Sequence, residues 1–264
     1  MIVYMTLDHV AYIKHVDNMC WSFKQLRRRK KELPKCKGKF LMDSAGFTEL
    51  SDNGKYSFDI DEYLTCVRRF QPDYFVNMDW MCEPAILCKT GNSIRYHIIN
   101  TVENYHRMIL KMSEDEIKKC IPVIQGWGIL DYFYCIEQYE NNGLLAPYMG
   151  IGSVCRRGSA SEIAKIISMI TGELPNIKLH GFGIKKSIID LLPNNILYSI
   201  DSAAYMFLKK HNGRWVTSAN GIDIAVHEMQ DDLALRQKEK DLQREIDSPI
   251  DYRWQNLCEG VDGI

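Results

Sequence analysis

Three carboxylates and one amide occupy similar places in the chain, each at the end of a short apolar run. Asp43 ends "KFLMD", Asp79 ends "DYFVNMD", Gln125 follows "CIPVI" and Asp201 follows "ILYSI". Acids that are crowded together repel one another, so one tends to hold a proton while another stays ionised. Such a set can supply a nucleophile and a general acid or base. A single Asp in this position is also a common helix N-cap, and "SAAYMFLKK" after the Asp201 strand is compatible with that alternative.

The ends of many strands must meet for these residues to act together. Apolar runs at 39–47, 73–80, 120–127, 148–154, 177–184 and 196–203 alternate with segments of helical period, and "MIVYMTL" is a further candidate strand. Apolar strands that alternate with helices indicate a parallel sheet buried on both faces. The pattern predicts an α/β fold, a TIM-like (β/α)8 barrel whose mouth collects the acids. An open doubly wound sheet is the alternative, but the chain has no G-x-G-x-x-G after its first strand and no G-x-x-x-x-G-K-[ST].

Composition and cysteine usage indicate one cytoplasmic domain. The chain has a net charge of −1, 46% hydrophobic and 25% charged residues, as in ordinary globular proteins. We interpret residues 1–264 as a single barrel domain, with the motifs in residues 38–206 and a charged C-terminal helix at about 220–246 that is a candidate homodimer contact. Nine scattered cysteines without a C-x-x-C indicate reduced thiols. We see no signal peptide or membrane-spanning run and expect no membrane partner.

Six motifs, taken in order, resemble those of a known enzyme family. The segments "LMDSAGFTEL", "VNMDWMCEP", "PVIQGW", "MGIGSVCRRG", "LHGFGI" and "YSIDSAAY" are similar to the barrel motifs of the tRNA-guanine transglycosylases, which exchange guanine for a 7-deazaguanine. The resemblance implies a double displacement in which Asp201 attacks C1′ of the sugar and expels guanine. The incoming base then displaces Asp201, so the anomeric configuration is retained. Asp43 would be the general acid and base for the purine nitrogen.

The resemblance also implies a pocket for the base. Asp79 would accept hydrogen bonds from N1–H and the exocyclic amine of guanine, and Phe47 would stack on the ring. Gln125, with backbone amides near Gly126 and Gly150, would read O6. Three glycines and one aromatic residue complete the predicted pocket: Gly152, Gly181, Phe182 and Gly183. We expect the glycines to leave room for a flat ligand.

Two departures from the family bear on the substrate. Ala45-Gly46 and Thr48 stand where the family usually has Gly-Gly and Gln, which affects the shape of the pocket. The zinc pattern C-x-C-x-x-C with a distant His is missing, since only Cys258 follows Asp201, so we expect no metal and no other cofactor. A barrel without the tRNA-binding parts resembles the shorter DpdA-type enzymes of bacteria and phages, which insert 7-deazaguanines into DNA. The use of Lys, Asn, Ile and Tyr is typical of a phage protein, which predicts the cytoplasm of a bacterium or a phage-infected host.

Two basic stretches are candidate phosphate contacts. The first lies in "KQLRRRKKELPKCKGK" and comprises Arg27, Arg28, Arg29, Lys30 and Lys31. The second is the pair Arg156 and Arg157, which follows the strand that contains Gly150. Clustered cations suit a nucleic-acid backbone, although a solvated surface is the alternative for both stretches.

The sequence therefore predicts exchange of guanine in DNA for a base such as 7-cyano-7-deazaguanine. Three alternatives remain at this point. The substrate could be tRNA, water could replace the incoming base in a glycosylase, or the chain could be a non-catalytic nucleic-acid-binding or accessory subunit of the family. Retention of both Asp43 and Asp201 argues against the last alternative. The 7-substituent, the target sequence and the strandedness of the polymer stay open.

Overall fold

Parallel strands follow one another along the chain. A computed structural model describes residues 1–203, 210–211 and 214–215. The predicted charged helix at about 220–246 lies outside these residues. Nine strands form one sheet in the order β5-β4-β3-β2-β1-β9-β8-β7-β6. Their bounds are β1 Ile2–Thr6, β2 Met19–Ser22, β3 Phe40–Asp43, β4 Tyr74–Val76, β5 Cys120–Ile121, β6 Val123–Ile124, β7 Tyr148–Ile151, β8 Lys178–Gly181 and β9 Ser199–Ser202.

The sheet curves into a nearly closed barrel. β1 pairs in parallel with both β2 and β9. β5 and β6 are two halves of one barrel strand separated by Pro122, because β5 pairs with β4 while β6 pairs with β7. Proline has no N–H to donate to a ladder, which accounts for the interruption. The predicted TIM-like barrel is confirmed, and the open doubly wound alternative is wrong.

Helices connect the strands on the outside of the barrel. Capping side chains begin several of them: Asp59 accepts from the Glu62 N–H at the start of the helix Ile60–Phe70, and Ser93 accepts from the Tyr96 N–H at the start of the helix Ile94–Ile109. The bounds are a 3-10 helix Val10–His15, α1 Phe23–Arg27, α2 Gly46–Asn53, α3 Ile60–Phe70, α4 Pro84–Thr90, α5 Ile94–Ile109, α6 Glu114–Lys119, α7 Ile129–Asn141, α8 Ala160–Glu173 and α9 Lys186–Ile189. A short antiparallel pair, β10 Lys210–His211 and β11 Arg214–Trp215, follows.

Sequence analysis missed one barrel strand and several short helices. β2 is only four residues long, Met19–Ser22, and it is followed at once by the five-residue helix α1. Neither element is long enough to show a period. The predicted strand at the N-terminus is confirmed as β1.

The interior of the barrel is mainly apolar toward the amino ends of its strands and polar toward their carboxyl ends. Its buried cluster comprises Tyr4, Cys20, Leu41, Val76, Ile121, Val123 and Tyr148. Side chains two residues apart on a strand share a face, so Asp43 projects to the same face as Leu41. Among the described residues, no helix is long and apolar enough to cross a membrane. The cysteines of residues 1–203 are free thiols.

Candidate active site

A cavity of about 190 Å³ opens at the carboxyl ends of the barrel strands. Every barrel strand, or the loop after it, contributes to the lining. The cavity is smaller than the roughly 300–1,000 Å³ usual for drug-sized ligands, which suits a single ring system. Eight of the predicted site residues line it: Asp43, Phe47, Asp79, Gln125, Gly152, Phe182, Gly183 and Asp201.

Asp201 enters the cavity from β9 and is held by the two neighbouring strands. The Thr6 hydroxyl of β1 donates to Oδ2 at 3.1 Å, and the Gly183 N–H after β8 donates to Oδ1 at 2.8 Å. Gly183 has φ of 60°, a left-handed conformation that glycine adopts without strain and that turns its N–H toward the carboxylate. The side chain of Asp201 is 15% exposed. The carboxylate is therefore fixed in direction yet accessible from the cavity.

Asp43 lines the same cavity from the end of β3. Its Oδ2 accepts from the Ala45 N–H at 2.9 Å. Burial raises the pKa of Asp43 to about 7, and the charges of Asp79 and Asp201 also raise it. Ala45 has φ of 65°, which explains why the resembling family usually places glycine there. The chain accepts backbone strain at this position in order to turn an N–H toward Asp43.

Asp79 is a buried acceptor in the loop after β4. Ser44 Oγ donates to its Oδ1 at 2.9 Å, and Gln125 Nε2 donates to its Oδ2 at 2.6 Å. Burial raises the pKa of Asp79 to about 6, against these two hydrogen bonds, which lower it. Each carboxylate oxygen has a second lone pair, so the group can still accept from a ligand. Asp43 and Asp79 therefore have distinct surroundings within one cavity.

The polar network continues from Gln125 to a fourth carboxyl group that sequence analysis did not identify. Ser153 Oγ donates to Gln125 Oε1 at 2.6 Å, and it also lies 3.2 Å from Glu83 Oε2. Glu83 is 4% exposed, and burial raises its pKa. Ser153 has φ of 54°, another strained position at the mouth. The "VNMDWMCEP" segment contains Glu83, but only the fold brings it into contact with the loop after β7.

The predicted space at the glycines is filled by protein side chains. A Cβ on Gly152 would lie 2.3 Å from Gln125 Nε2, and one on Gly150 would lie 2.4 Å from the Phe182 ring. An added Cβ would also be too close to a neighbouring residue at the other glycines: to Tyr132 at Gly126, to Ile184 at Gly181 and to Cys155 at Gly183. The expectation that these glycines leave room for a ligand is wrong in this respect. They allow close packing that positions the polar groups, and Gly126, Gly150 and Gly181 do not line the cavity.

Two phenylalanines supply apolar surface at the mouth. Phe47 and Phe182 both line the cavity. The guanidinium of Arg156 lies over the Phe47 ring, 3.8 Å from its centroid, and the Arg156 side chain is exposed. A cation over an aromatic face is a favourable but exchangeable contact at an exposed site. The stacking surface predicted for Phe47 is thus present, with a cation covering one face.

Arg157 is a structural residue, which corrects its prediction as a phosphate contact. Its side chain is 1% exposed. The guanidinium donates to the backbone oxygens of Ser153 and Trp127 and pairs with Glu162. It also lies over the Trp127 ring, 4.0 Å from the centroid. A buried guanidinium with these partners holds the loop after β7 together and has no surface to offer a phosphate.

The first basic stretch runs down the outer wall of the barrel. Arg27 pairs with Glu62 in the first turn of α3, and the Lys30 carbonyl accepts from Arg69 in the last turn of α3. The helix that precedes β4 ends at the amino side of the strands, so residues 27–31 lead away from the mouth. Arg28, Lys30 and Lys31 are exposed, and Arg29 is less so. The prediction that this stretch reaches the phosphates near Asp43 is not supported by its path.

The arrangement combines the parts needed for acid–base and nucleophilic chemistry in one small cavity. Asp201 is an aimed carboxylate, Asp43 is a carboxyl group whose pKa lies near neutrality, and Asp79 is a buried acceptor. Residues 1–203 contain no group of three or more His, Cys, Asp or Glu side chains that could hold a metal ion. Thr6, Ser44, Glu83 and Ser153 escaped sequence analysis because isolated hydroxyl and carboxyl groups carry no signal without their partners.

Comparison with known proteins gives one family. The family model described as DpdA, DeoxyPurine in DNA protein A, matches residues 4–247, which is most of the chain and includes every residue that lines the cavity. A search of the curated proteins finds no match.

Proposed function

Because the chain belongs to the DpdA family, DeoxyPurine in DNA protein A, we propose that it exchanges guanine in DNA for a 7-deazaguanine base. The family supports a DNA-modifying role of the transglycosylase type. The observation that carries the finer proposal is the cavity, where Asp201 and Asp43 occupy different environments and serve as nucleophile and acid. The incoming base would be 7-cyano-7-deazaguanine or a related compound.

The first half of the proposed reaction removes guanine. A carboxylate oxygen of Asp201 forms a bond to C1′ of the deoxyribose while the bond from C1′ to the purine nitrogen breaks. The protonated Asp43 donates its proton to the departing base, which leaves as neutral guanine. A pKa near 7 suits this task, since the carboxyl group still holds its proton near neutral pH and gives it up readily. The product is a glycosyl ester of Asp201.

The second half runs the same chemistry in reverse with a new base. The ring nitrogen of the incoming 7-deazaguanine attacks C1′, its proton passes to Asp43, and the Asp201 carboxylate leaves. Two inversions at C1′ restore the original configuration. Asp43 is again protonated and Asp201 is again ionised, so the protein is ready for another cycle.

Base recognition is assigned to the buried polar network. Asp79 accepts from N1–H and the exocyclic amine of guanine, because only a carboxylate offers two acceptors to that edge. Gln125 is oriented by Asp79 and Ser153 and reads O6 through its second amide hydrogen. Phe47 stacks on the base, and Arg156 moves from its ring toward a neighbouring phosphate. A target base in a duplex must first leave the stack, which costs a few kcal/mol.

The proposal is tested by release of radiolabelled guanine from DNA and from tRNA, with 7-cyano-7-deazaguanine as the incoming base. Release from DNA alone is expected. Release from tRNA alone would overturn the assignment of the substrate, and release without incorporation of the added base would indicate a glycosylase.

The covalent step is tested with Asp201→Asn, which should trap no DNA and show a fall in guanine release of more than about 10³-fold. Asp115→Asn is the matched control, since this exposed Asp of α6 lies outside the cavity. If Asp201→Asn exchanged guanine at the rate of the control, Asp201 would have no part in the chemistry. No release from either polymer by any variant would favour a binding subunit.

A further inference from the structure

A buried histidine lies directly behind the nucleophile. His180 of β8 is fully buried, and its Nε2 lies 3.3 Å from Asp201 Oδ1. This nitrogen makes no hydrogen bond within the described residues. A buried polar atom without a partner is rare in folded proteins and calls for an explanation. Here the neighbouring group is the carboxylate proposed to attack the sugar.

The other ring nitrogen belongs to a buried chain of hydroxyl groups. His180 Nδ1 lies 2.7 Å from Ser199 Oγ, which is hydrogen-bonded in turn to the Tyr148 hydroxyl. Ser199 and Asp201 are two residues apart on β9, so their side chains share the interior face. Tyr148, Ser199 and His180 therefore form a continuous path that ends at the nucleophile.

For a neutral imidazole, one order of protons satisfies every group along this path. A lone pair on Nε2 would face the carboxylate and repel it, whereas an N–H at Nε2 is attracted to it. With the proton on Nε2, Nδ1 accepts from the Ser199 hydroxyl, and Ser199 Oγ accepts from the Tyr148 hydroxyl. The hydroxyl chain thus fixes the tautomer of His180, in the same way that a partner on one ring nitrogen sets the role of the other.

We propose that His180 is a positioning residue for the nucleophile. In this assignment, which rests on the proposed function, His180 Nε2–H and the Gly183 N–H both donate to Asp201 Oδ1. Oδ1 then becomes the carbonyl oxygen of the glycosyl ester, and Oδ2, held only by the Thr6 hydroxyl, forms the bond to C1′. The contact of 3.3 Å shortens in the reacting complex, as such contacts commonly do. No proton leaves His180 during the reaction.

Packing alone is the competing explanation. The His180 ring lies edge-on to Phe182, with centroids 4.5 Å apart, and to Tyr4 at 6.0 Å. A ring held for its shape would tolerate phenylalanine and would have no preference for a donor at the Nε2 position. A ring held for its donor would tolerate glutamine, whose amide nitrogen can replace Nε2–H. The two explanations therefore predict opposite orders of activity for His180→Phe and His180→Gln.

Kinetics of the covalent step give the first test. His180→Phe should slow single-turnover ester formation by about 10- to 100-fold with the affinity for free base unchanged, and His180→Gln should recover most of the rate. Ser199→Ala should give a smaller loss because the tautomer is no longer fixed. His97→Phe is the matched control, since His97 is also fully buried but bonds to Thr90 and the Met81 carbonyl instead. Wild-type rates in His180→Phe would overturn the proposal.

A second measurement does not depend on activity. Nitrogen-15 NMR of the whole protein should show the Nε2–H tautomer for His180, and Asp201→Asn should shift the His180 signals while leaving those of His97 unchanged. An Nδ1–H tautomer, or no response to Asp201→Asn, would overturn the positioning role even if the exchange reaction is confirmed. If exchange fails while the NMR result holds, the proposed function is wrong but the contact between His180 and Asp201 is established.

Discussion

Asp43 and Asp79 show how one residue type acquires different properties within a single cavity. Burial raises the pKa of Asp43 to about 7 and that of Asp79 to about 6. Asp79 accepts from two side chains, whereas Asp43 accepts from the Ala45 N–H and the Ser22 hydroxyl and has two acidic neighbours. The surroundings therefore give two chemically identical side chains different proton affinities and different hydrogen-bond partners.

The raised pKa of Asp43 predicts the pH dependence of guanine release. Asp43 must hold a proton to act as an acid and Asp79 must be ionised to accept from guanine, so single-turnover release should be greatest between about pH 6 and pH 7 and fall about tenfold per pH unit above about pH 7. Asp43→Asn should lower the rate by about 10²- to 10⁴-fold and remove the fall at high pH. The measurement is release from labelled DNA between pH 5.5 and pH 9. A wild-type rate that stays constant to pH 9 would exclude Asp43 as the acid.

At the scale of elements, the loop after β7 positions the hydrogen-bond network around Gln125 and forms part of the entrance to the cavity. Gly152 leaves space for the Gln125 side chain, which packs directly against it. Ser153 forms hydrogen bonds with both Gln125 and Glu83. The buried Arg157 guanidinium holds the loop by donating to the Ser153 carbonyl. Arg156, the next residue in the chain, remains exposed above Phe47. Adjacent arginines thus have opposite roles, one in structure and the other at the surface.

Gly152→Ala should test the packing of this loop. The new Cβ would lie 2.3 Å from Gln125 Nε2, and Gln125 cannot move away without breaking its bonds to Asp79 and Ser153. We expect a loss of about 1–3 kcal/mol in the free energy of unfolding and a clear weakening of base binding, measured by denaturation and calorimetry. Gly158→Ala is the control, because no atom lies within 4 Å of its added Cβ. Equal behaviour of the two variants would contradict the packing role.

The two basic stretches should differ in their contribution to DNA affinity. Arg156→Ala should weaken binding to all sequences alike and reduce the salt slope by about one unit, since it removes one phosphate contact. The double variant Lys30→Ala, Lys31→Ala should change affinity less than twofold at physiological salt, because these residues follow the wall away from the mouth. Both are measured by DNA titration at several salt concentrations. A larger loss of affinity in the Lys30, Lys31 double variant than in Arg156→Ala would mean that the DNA binds along the outer wall of the barrel.

Sequence patterns were sufficient for the elements that carry a strong local signal. Asp43, Asp79, Gln125 and Asp201 were found because each ends an apolar run, and all four line the cavity. Other features depend on contacts across the barrel and have no local signature. The burial of Arg157, the route of residues 27–31 and the pairing of Ser153 with Glu83 are of this kind. β2 was missed because four residues cannot display a period.

For the whole molecule, a mouth crowded with acids should reduce stability at high pH. A carboxyl group whose pKa is raised on folding binds its proton more tightly in the folded state. Stability is therefore greatest below the unfolded pKa and falls as pH rises through the folded one. For Asp43 the window runs from about pH 4 to about pH 7, and Asp79 adds to it up to about pH 6.

Asp43→Asn should consequently stabilise the protein at high pH. We expect its melting temperature to exceed that of the wild type at pH 8, with the difference shrinking as the pH falls toward 5. The reason is that only the wild type must bury the ionised Asp43 carboxylate at pH 8. A site residue of this kind lowers the stability of the fold. Calorimetric scans of both proteins at several pH values provide the measurement. A difference that does not vary with pH would mean that the Asp43 pKa is not raised.

The pairing of β1 with β9 has a consequence for the chain during its synthesis. Residues Ile2–Met5 pair with Ser199–Ser202, and the Thr6 hydroxyl reaches Asp201 across 195 positions of sequence. A nascent chain in which only β1 to β8 have left the ribosome therefore lacks Asp201 and has an unpaired β1 edge. Contacts of such long range form slowly and late. The contact between Thr6 and Asp201 therefore forms only when the last barrel strand joins the first, so the proposed exchange reaction would report on the completion of folding.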